Sequence, residues 1–200
     1  MIQKIFIGGI GSLGSWLFRA LIFREELKDY GFLVADYDRV EERNVGNQIY
    51  TIGQVGMYKT QAMAQTLIDL DMRNVLSRIE FLTGRIDRHF NLPSDICLVV
   101  DCFDSYESRK DLSSLAESAG TDVIHCGFGM VGGKPIAKIT VNDLSDFRSG
   151  NEEDVCDLKE FSGFFQGVGA IFANCVVDFI VKGKWRKDLT VGYNLQVKNN

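Results

Sequence analysis

The residues best suited to chemistry sit in a glycine-rich turn, Gly9-x-Gly11-x-x-Gly14, placed between an apolar run and an apolar helical pattern. In that context the first glycine permits a tight turn, the second lets a pyrophosphate approach the backbone, and the third allows close packing of helix on sheet. The backbone N–H groups freed at the helix start form an anion site. Asp36 follows at the end of the next apolar run, where a carboxylate can accept hydrogen bonds from ribose hydroxyls. These residues point to an adenine nucleotide, and the turn alone leaves NAD, FAD and ATP open. The competing reading is that the glycines serve only close packing, with no ligand. Two histidines, His89 and His125, are the whole imidazole complement. His125 lies at a strand end within reach of a crevice and His89 in a surface loop, which gives hydride transfer little support.

The elements that must position these groups alternate strand and helix. Lys4–Ile7 lacks polar alternation, as a strand covered on both faces should. A helix is expected over 13–27, a strand over 32–35, an irregular polar stretch over 39–54, and a helix over 55–69. Strands follow over 78–82 and 96–100, a helix over 105–119, and a strand over 122–126. Glycines 127, 129, 132 and 133 punctuate a turn before a strand over 135–141. A polar, acidic loop spans 142–161; a loop of that length marks a lid, a binding loop or a mobile segment. A helix over 163–181 and a short strand or tail over 189–197 close the chain. This order predicts an α/β fold, a Rossmann-like mostly parallel sheet with helices on both faces, built as a single domain over 1–200.

Several stretches resemble the ThiF/MoeB/E1 superfamily of ubiquitin-activating-type adenylyltransferases. They are Gly9-Ile-Gly11-Ser-Leu-Gly14-Ser15, Asp36-Tyr37-Asp38-Arg39-Val40-Glu41-x-x-Asn44-Val45-x-x-Gln48 and Gly53-x-x-Gly56-x-x-Lys59-x-x-Ala62. Asp101-Cys102-Phe103-Asp104-Ser105-x-x-x-Arg109 and Gly167-Val-Gly169 through Cys175-x-x-Asp178 complete the series, and the likeness runs over about 3–183. The resemblance implies a ThiF/E1-type adenylation domain. It would use ATP and Mg²⁺ to activate the C-terminal carboxylate of a small ubiquitin-like or sulfur-carrier protein as an acyl-adenylate. It also implies roles by position. Gly9, Gly11 and Gly14 lie beside the phosphates, Asp36 at the ribose with Asp38 near it, and Asn44, Gln48 and Lys59 at the nucleotide, while Asp104 coordinates Mg²⁺. Asn44, Asn47, Lys59 and Asp104 form the implied catalytic set. Lys59 suits phosphate contact as a point charge, and its alternative is a solvent-facing helix lysine. Asp104 is also placed to cap the following helix, as are Asp101 and Ser105.

The chain departs from the family pattern at informative places. Asn47-Gln48 stands where Arg-Gln is usual, so a hydrogen-bonding amide replaces a phosphate-neutralising charge; Arg43 is a candidate substitute. Ser12 replaces a glycine, and Asp104-Ser105 an aspartate–asparagine pair. The helix that leads into the first strand in many members is expected to be missing. The functional alternatives are a catalytically weakened or inactive binding subunit, and a small NAD(P)-dependent oxidoreductase.

Five cysteines occur with no CxxC pair, and no zinc is expected. Cys97 and Cys102, five apart, are expected on opposite sheet faces. Cys97, Cys102, Cys126 and Cys175 read as small buried hydrophobes. Cys156 lies among four carboxylates, surroundings that oppose thiolate formation. The net charge of -5 gives no warrant for a nucleic-acid or membrane surface. The apolar patch over 170–181 reads as too short and too polar to span a bilayer. No secretory signal pattern precedes Ile5, so a cytoplasmic location is expected. Phe161, Phe164, Phe165, Phe172 and Phe179 fall around one helical surface. Part of that surface is expected to be core and part to face a second subunit, as a homodimer or a heterodimer with a related chain.

Overall fold

A computed structural model describes residues 2–147, 158–183 and 188–199. Its centre is an eight-stranded sheet in the order β3-β2-β1-β4-β5-β6-β7-β8. The strands are β1 (Lys4–Gly8), β2 (Gly31–Asp36), β3 (Ile79–Thr83), β4 (Ile96–Asp101), β5 (Val123–Val131), β6 (Lys134–Val141), β7 (Leu189–Val191) and β8 (Val197–Asn199). The first five run parallel and the last three are antiparallel. Every residue of β2 is buried, which explains its unbroken apolar run.

Helices cover both faces. On one face, α1 (Gly14–Ile22), α2 (Lys59–Asp69) and α5 (Ser162–Lys182) supply Leu17, Met63 and Phe172 to the larger core, with the short α3 (Arg73–Leu76) at its edge. On the other, α4 (Tyr106–Ala119) supplies Leu112 and Ala116, joined by Ile86 from the connection before β4. The strand order reverses between β1 and β4, the kind of switch point outside whose strand C-terminal ends ligands bind in open α/β sheets.

The structure moves several expected boundaries. The helix expected over 13–27 stops at Ile22, and a separate 3-10 turn, Glu25–Leu27, follows. The one expected from 55 begins at Lys59, because Gly56 takes a φ of 90° that ends any earlier helical run. Gly127 and Gly129 lie inside β5, and only Gly132 and Gly133, both at positive φ, make the two-residue hairpin turn. The tail over 189–197 is two strands, β7 and β8, paired as a hairpin. Cys97 and Cys102 pack against the same core, contrary to strict alternation. The cause is a bulge: Lys4 pairs with Ile96 and Ile5 with Leu98, leaving Cys97 as the extra residue.

Helix α5 is also longer than its expected apolar patch. At 21 residues it is apolar and long enough, by composition, to cross a membrane. In this fold it lies against α1, with Phe165, Val168, Phe172 and Val176 fully buried. Phe164 and Phe179 are buried too, and Phe161 is half-buried, so most of the phenylalanine surface is internal.

Candidate functional site

The glycine-rich turn lies at the C-terminal end of β1, and each of its glycines answers to a different constraint. Gly9 has a φ of 83°, a region that side chains rarely adopt. A Cβ on Gly14 would stand 2.0 Å from the Gly9 carbonyl oxygen and 3.2 Å from the Cys102 Cβ, so this glycine is needed for packing α1 against β1 and β4. Gly11 differs, since a Cβ there would meet only the Gln48 side-chain nitrogen, at 3.9 Å. The packing-only reading therefore accounts for Gly14 and not for Gly11.

Asp36 closes β2 and holds the turn in place. Its two carboxylate oxygens accept from the backbone N–H groups of Ile10 and Asp38, each at 2.8 Å. Burial pushes its carboxyl above the usual aspartate range, against the opposing pull of Lys59 and of these two N–H donors. Carboxylate oxygens carry further lone pairs, so acceptor capacity remains for hydroxyl donors. The buried Tyr50 hydroxyl donates to the Ile10 carbonyl at 2.8 Å and ties the irregular stretch to the same turn.

That stretch is a series of short turns. Asn44 is buried, and its side-chain oxygen accepts from the Glu41 N–H at 2.8 Å, closing a capping box over the 3-10 turn Glu42–Asn44. Asn47 is wholly buried, and its carbonyl accepts from the Trp16 indole N–H at 2.8 Å. Gln48 is buried beside Gly11. Arg43 is ion-paired with Glu41 at 2.5 Å on the exposed side. Lys59, the first residue of α2, is buried and paired with Asp38 at 2.7 Å, which excludes the solvent-facing reading.

At the end of β4, Asp101 and Asp104 have separate surroundings. Asp104 is exposed, and the capping role belongs to its neighbour Ser105, whose hydroxyl accepts from the Ser108 N–H. Asp101 is fully buried. It accepts from Arg109 Nη1 at 2.8 Å and from the Phe103 N–H at 2.9 Å, and it bonds His125 Nδ1 at 2.7 Å. Burial acts to raise its carboxyl, but Arg109 and His125 outweigh it and hold Asp101 below the usual aspartate range. His125, a strand-end residue open to either a crevice or an ordinary structural role, is fully enclosed, while His89 is exposed as expected. The only hint of this network in the sequence is the spacing of Arg109, one helical turn beyond the cap.

Cys126 and Cys175 are buried as expected, whereas Cys97 and Cys102 are only half-buried; desolvation pushes the thiols of Cys102, Cys126 and Cys175 up, Cys175 to about 12, so they are inert at neutral pH. Cys156 and much of the acidic loop lie outside the described residues. Among the described residues no three His, Cys, Asp or Glu side chains gather into a metal cluster.

The structure thus holds a glycine-rich loop anchored by a strand-end aspartate, with an open Gly11, and a buried lysine paired with Asp38 at the start of α2. The ThiF family model matches residues 2–194. The chain belongs to the ThiF family. Two relatives carry the name ubiquitin-like modifier-activating enzyme 5. The one from Arabidopsis thaliana is 33% identical over 119 residues, covering 52% of this chain, and that from Caenorhabditis briggsae is 27% identical over 120 residues, covering 54%. The chain spans 26% of the length of each. Among solved structures, E. coli MccB with MccA-N7isoASN superposes at a TM-score of 0.72 and 17% identity, over 99% of this chain and 64% of MccB. E. coli MccB with ATP gives 0.71 at 15% identity, over 99% and 63%. PaaA gives 0.62 at 17% identity, also over 99% and 63%. At these identities the structural likeness establishes the shared fold.

Proposed function

We propose that this ThiF-family chain binds ATP in the crevice between β1 and β4 and adenylates the C-terminal carboxylate of a small ubiquitin-like or sulfur-carrier protein. The observation that carries the reading is the double backbone clamp of Asp36 on Ile10 and Asp38. It fixes the turn with Gly11 open and leaves the carboxylate beside the position a ribose would take. The buried Ser12 hydroxyl, which lacks a protein partner for its oxygen, adds a polar group at the same turn and fits a phosphate-bearing ligand. MccB, with the same fold, has been solved with ATP, and two relatives are named for activating ubiquitin-like modifiers.

In this reading the backbone N–H groups beginning α1 receive the phosphates, and Lys59 supplies positive charge near the α-phosphorus. The partner's carboxylate oxygen attacks that phosphorus and pyrophosphate leaves. Asn44 and Gln48 shape the wall facing the turn. Asp104, exposed at the end of β4, is the carboxylate that would hold Mg²⁺; that ion typically uses one or two carboxylates together with substrate phosphates, so a single aspartate fits. When bound, the ion would neutralise charge developing on the departing pyrophosphate.

One observation favours a second reading, a binding subunit that retains the nucleotide and has lost efficient turnover. Asn47 stands where the family pattern has arginine and is wholly buried, and Arg43 is paired with Glu41. ATP–pyrophosphate exchange with small proteins ending in Gly-Gly separates the two. Exchange supports adenylation, ATP binding without exchange supports the binding subunit, and absence of both overturns the nucleotide site. Dimerisation and a cytoplasmic location belong to the same proposal, tested by sedimentation and by localisation of the tagged chain.

A further inference from the structure

The buried group behind the crevice has no part in the reading above, and its geometry links it to the exposed Asp104. Asp101 is the last residue of β4, and Asp104 follows three residues later. The intervening turn is fixed at both ends. On one side the Asp101 carboxylate accepts from the Phe103 N–H, and on the other Ser105 caps α4 while its carbonyl accepts from the Arg109 N–H. Arg109 then reaches back from α4 to Asp101, and its Nη1 also donates to the Cys126 carbonyl at 3.1 Å. His125 completes the enclosure, with Nδ1 on Asp101 and Nε2 at 3.3 Å from the Ser113 hydroxyl. Phe147 covers the group, 4.7 Å from the Arg109 guanidinium and 6.0 Å, centroid to centroid, from the His125 ring. The same turn also supports the glycine-rich loop, because a Cβ on Gly8 would meet the Phe103 ring at 2.7 Å and one on Gly9 the Cys102 carbonyl at 3.0 Å.

We infer that His125 is a positioning residue that acts through Asp101 to aim Asp104 at the divalent cation accompanying the nucleotide, an inference that rests on the proposed ATP site. A carboxylate shared by an arginine, an imidazole and a backbone N–H has little rotational freedom. Asp101 therefore holds one end of the three-residue excursion that carries Asp104. Loss of the His125 donor leaves Asp101 on Arg109 and the Phe103 N–H alone and loosens the turn. The effect falls on metal-assisted binding more than on binding of the nucleotide itself, because Asp36 and Lys59 sit on β2 and α2, and the turn packs on the glycine-rich loop at Gly8, Gly9 and Gly14 but not at Gly11.

The test is calorimetric titration of ATP into the full chain, with Mg²⁺ in excess over the nucleotide and again with chelator. His125→Leu is expected to weaken Mg²⁺–ATP binding about tenfold, the lower end of what loss of a supporting hydrogen bond around a metal costs. Metal-free ATP binding is expected to change less than about twofold. His125→Asn, which keeps a donor close to the Nδ1 position, is expected to recover most of the loss, whereas a role in packing alone would not be rescued by the smaller polar side chain. Ser113→Ala, a milder change one bond further out, provides a folded variant if His125→Leu does not melt cooperatively, and is expected to weaken Mg²⁺–ATP binding roughly threefold. Equal loss with and without metal, or no loss in folded variants, overturns the inference while leaving the site standing. A wild-type chain whose ATP affinity does not respond to Mg²⁺ overturns the metal site and the inference together.

Discussion

Replacing Gly14 and Gly11 separately by alanine tests whether the two glycines do different work. At Gly14 the new methyl would stand 2.0 Å from the Gly9 oxygen and 2.9 Å from the Gly9 carbonyl carbon. Both are backbone atoms, so no side-chain rotation relieves the clash. Helix α1 cannot retreat either, because a Cβ on Gly169 of α5 would already meet Trp16 Cβ at 2.8 Å and the Leu17 nitrogen at 3.0 Å. Alanine gains about 1 kcal/mol over glycine in helix propensity. Overpacking of a rigid site costs roughly 3 kcal/mol or more, since backbone must move, and the net loss is about 2 kcal/mol or greater. With a urea slope near 2 kcal/mol/M the unfolding midpoint falls by about 1 M. At Gly11 the backbone is outside the positive-φ region and the nearest atom would be 3.9 Å away, so stability should change by no more than about 0.5 kcal/mol. The added methyl occupies the face open to a phosphate, and ATP affinity should fall about tenfold, or roughly 1.4 kcal/mol. Urea denaturation followed by circular dichroism and calorimetric ATP titration read the two effects. A Gly14→Ala chain with an unchanged midpoint, or a Gly11→Ala chain that binds ATP normally, refutes the division of roles.

Three further outcomes are expected. Lys59→Met removes the charge paired with Asp38 and should reduce ATP affinity about tenfold or more while adenosine, which carries no phosphate, is affected less; titration with both ligands measures it. Asp101 has a folded pKa below its unfolded value, so its contribution to stability is present above the ordinary aspartate range and is lost as pH falls through the lowered folded value. Asp101→Asn should therefore be less stable by about 3 kcal/mol at pH 7 yet show a shallower loss below about pH 4, in urea melts across that window. Asp36 has the opposite sign: its folded pKa is raised, so the protonated form favours folding at low pH and that contribution disappears as pH rises through the raised value. Asn47→Arg, which restores the family's residue type, places a long charged side chain where Asn47 is fully enclosed. It should lower the thermal midpoint, by an overpacking cost of about 2 kcal/mol, without raising pyrophosphate exchange.

Much of this architecture is readable from local pattern, because the buried parallel strands have no polar alternation and the glycine turn has a required context. Helix α4 ends at Ala119 as the pattern expects, and of the three candidate caps, Asp101, Asp104 and Ser105, the structure uses Ser105. Other features escape local pattern for physical reasons. The bulge at Cys97 depends on pairing with Lys4, more than ninety positions away, so alternation fails without any sign in the strand itself. Gly127 resembles a turn residue but serves a contact: a Cβ there would meet the Phe147 ring at 2.7 Å and Arg109 Nη2 at 2.9 Å. At the candidate site, Asp36 and Lys59 are both buried, the first bonded to the glycine-rich turn and the second paired with Asp38. The enclosure of His125 was hidden, because a strand-end imidazole can face either a crevice or a core. The partner that settles this, Asp101, lies on a different strand.

The contact between Gly169 and α1 also orders events during synthesis. The glycine-rich turn leaves the ribosome well before α5, yet α1, which begins at its third glycine, has an apolar side covered by that later helix. Until Ser162 and the residues after it emerge, Leu17 and Leu21 lack that cover, and loop closure over such a separation must precede the packing that rewards it. The glycine-rich turn is thus completed late, and a ribosome stalled before α5 presents a chain in which that motif is written but not yet built. When α5 does emerge, it is a long apolar segment competing between its place on α1 and any hydrophobic surface nearby, so its prompt docking protects the chain from aggregation.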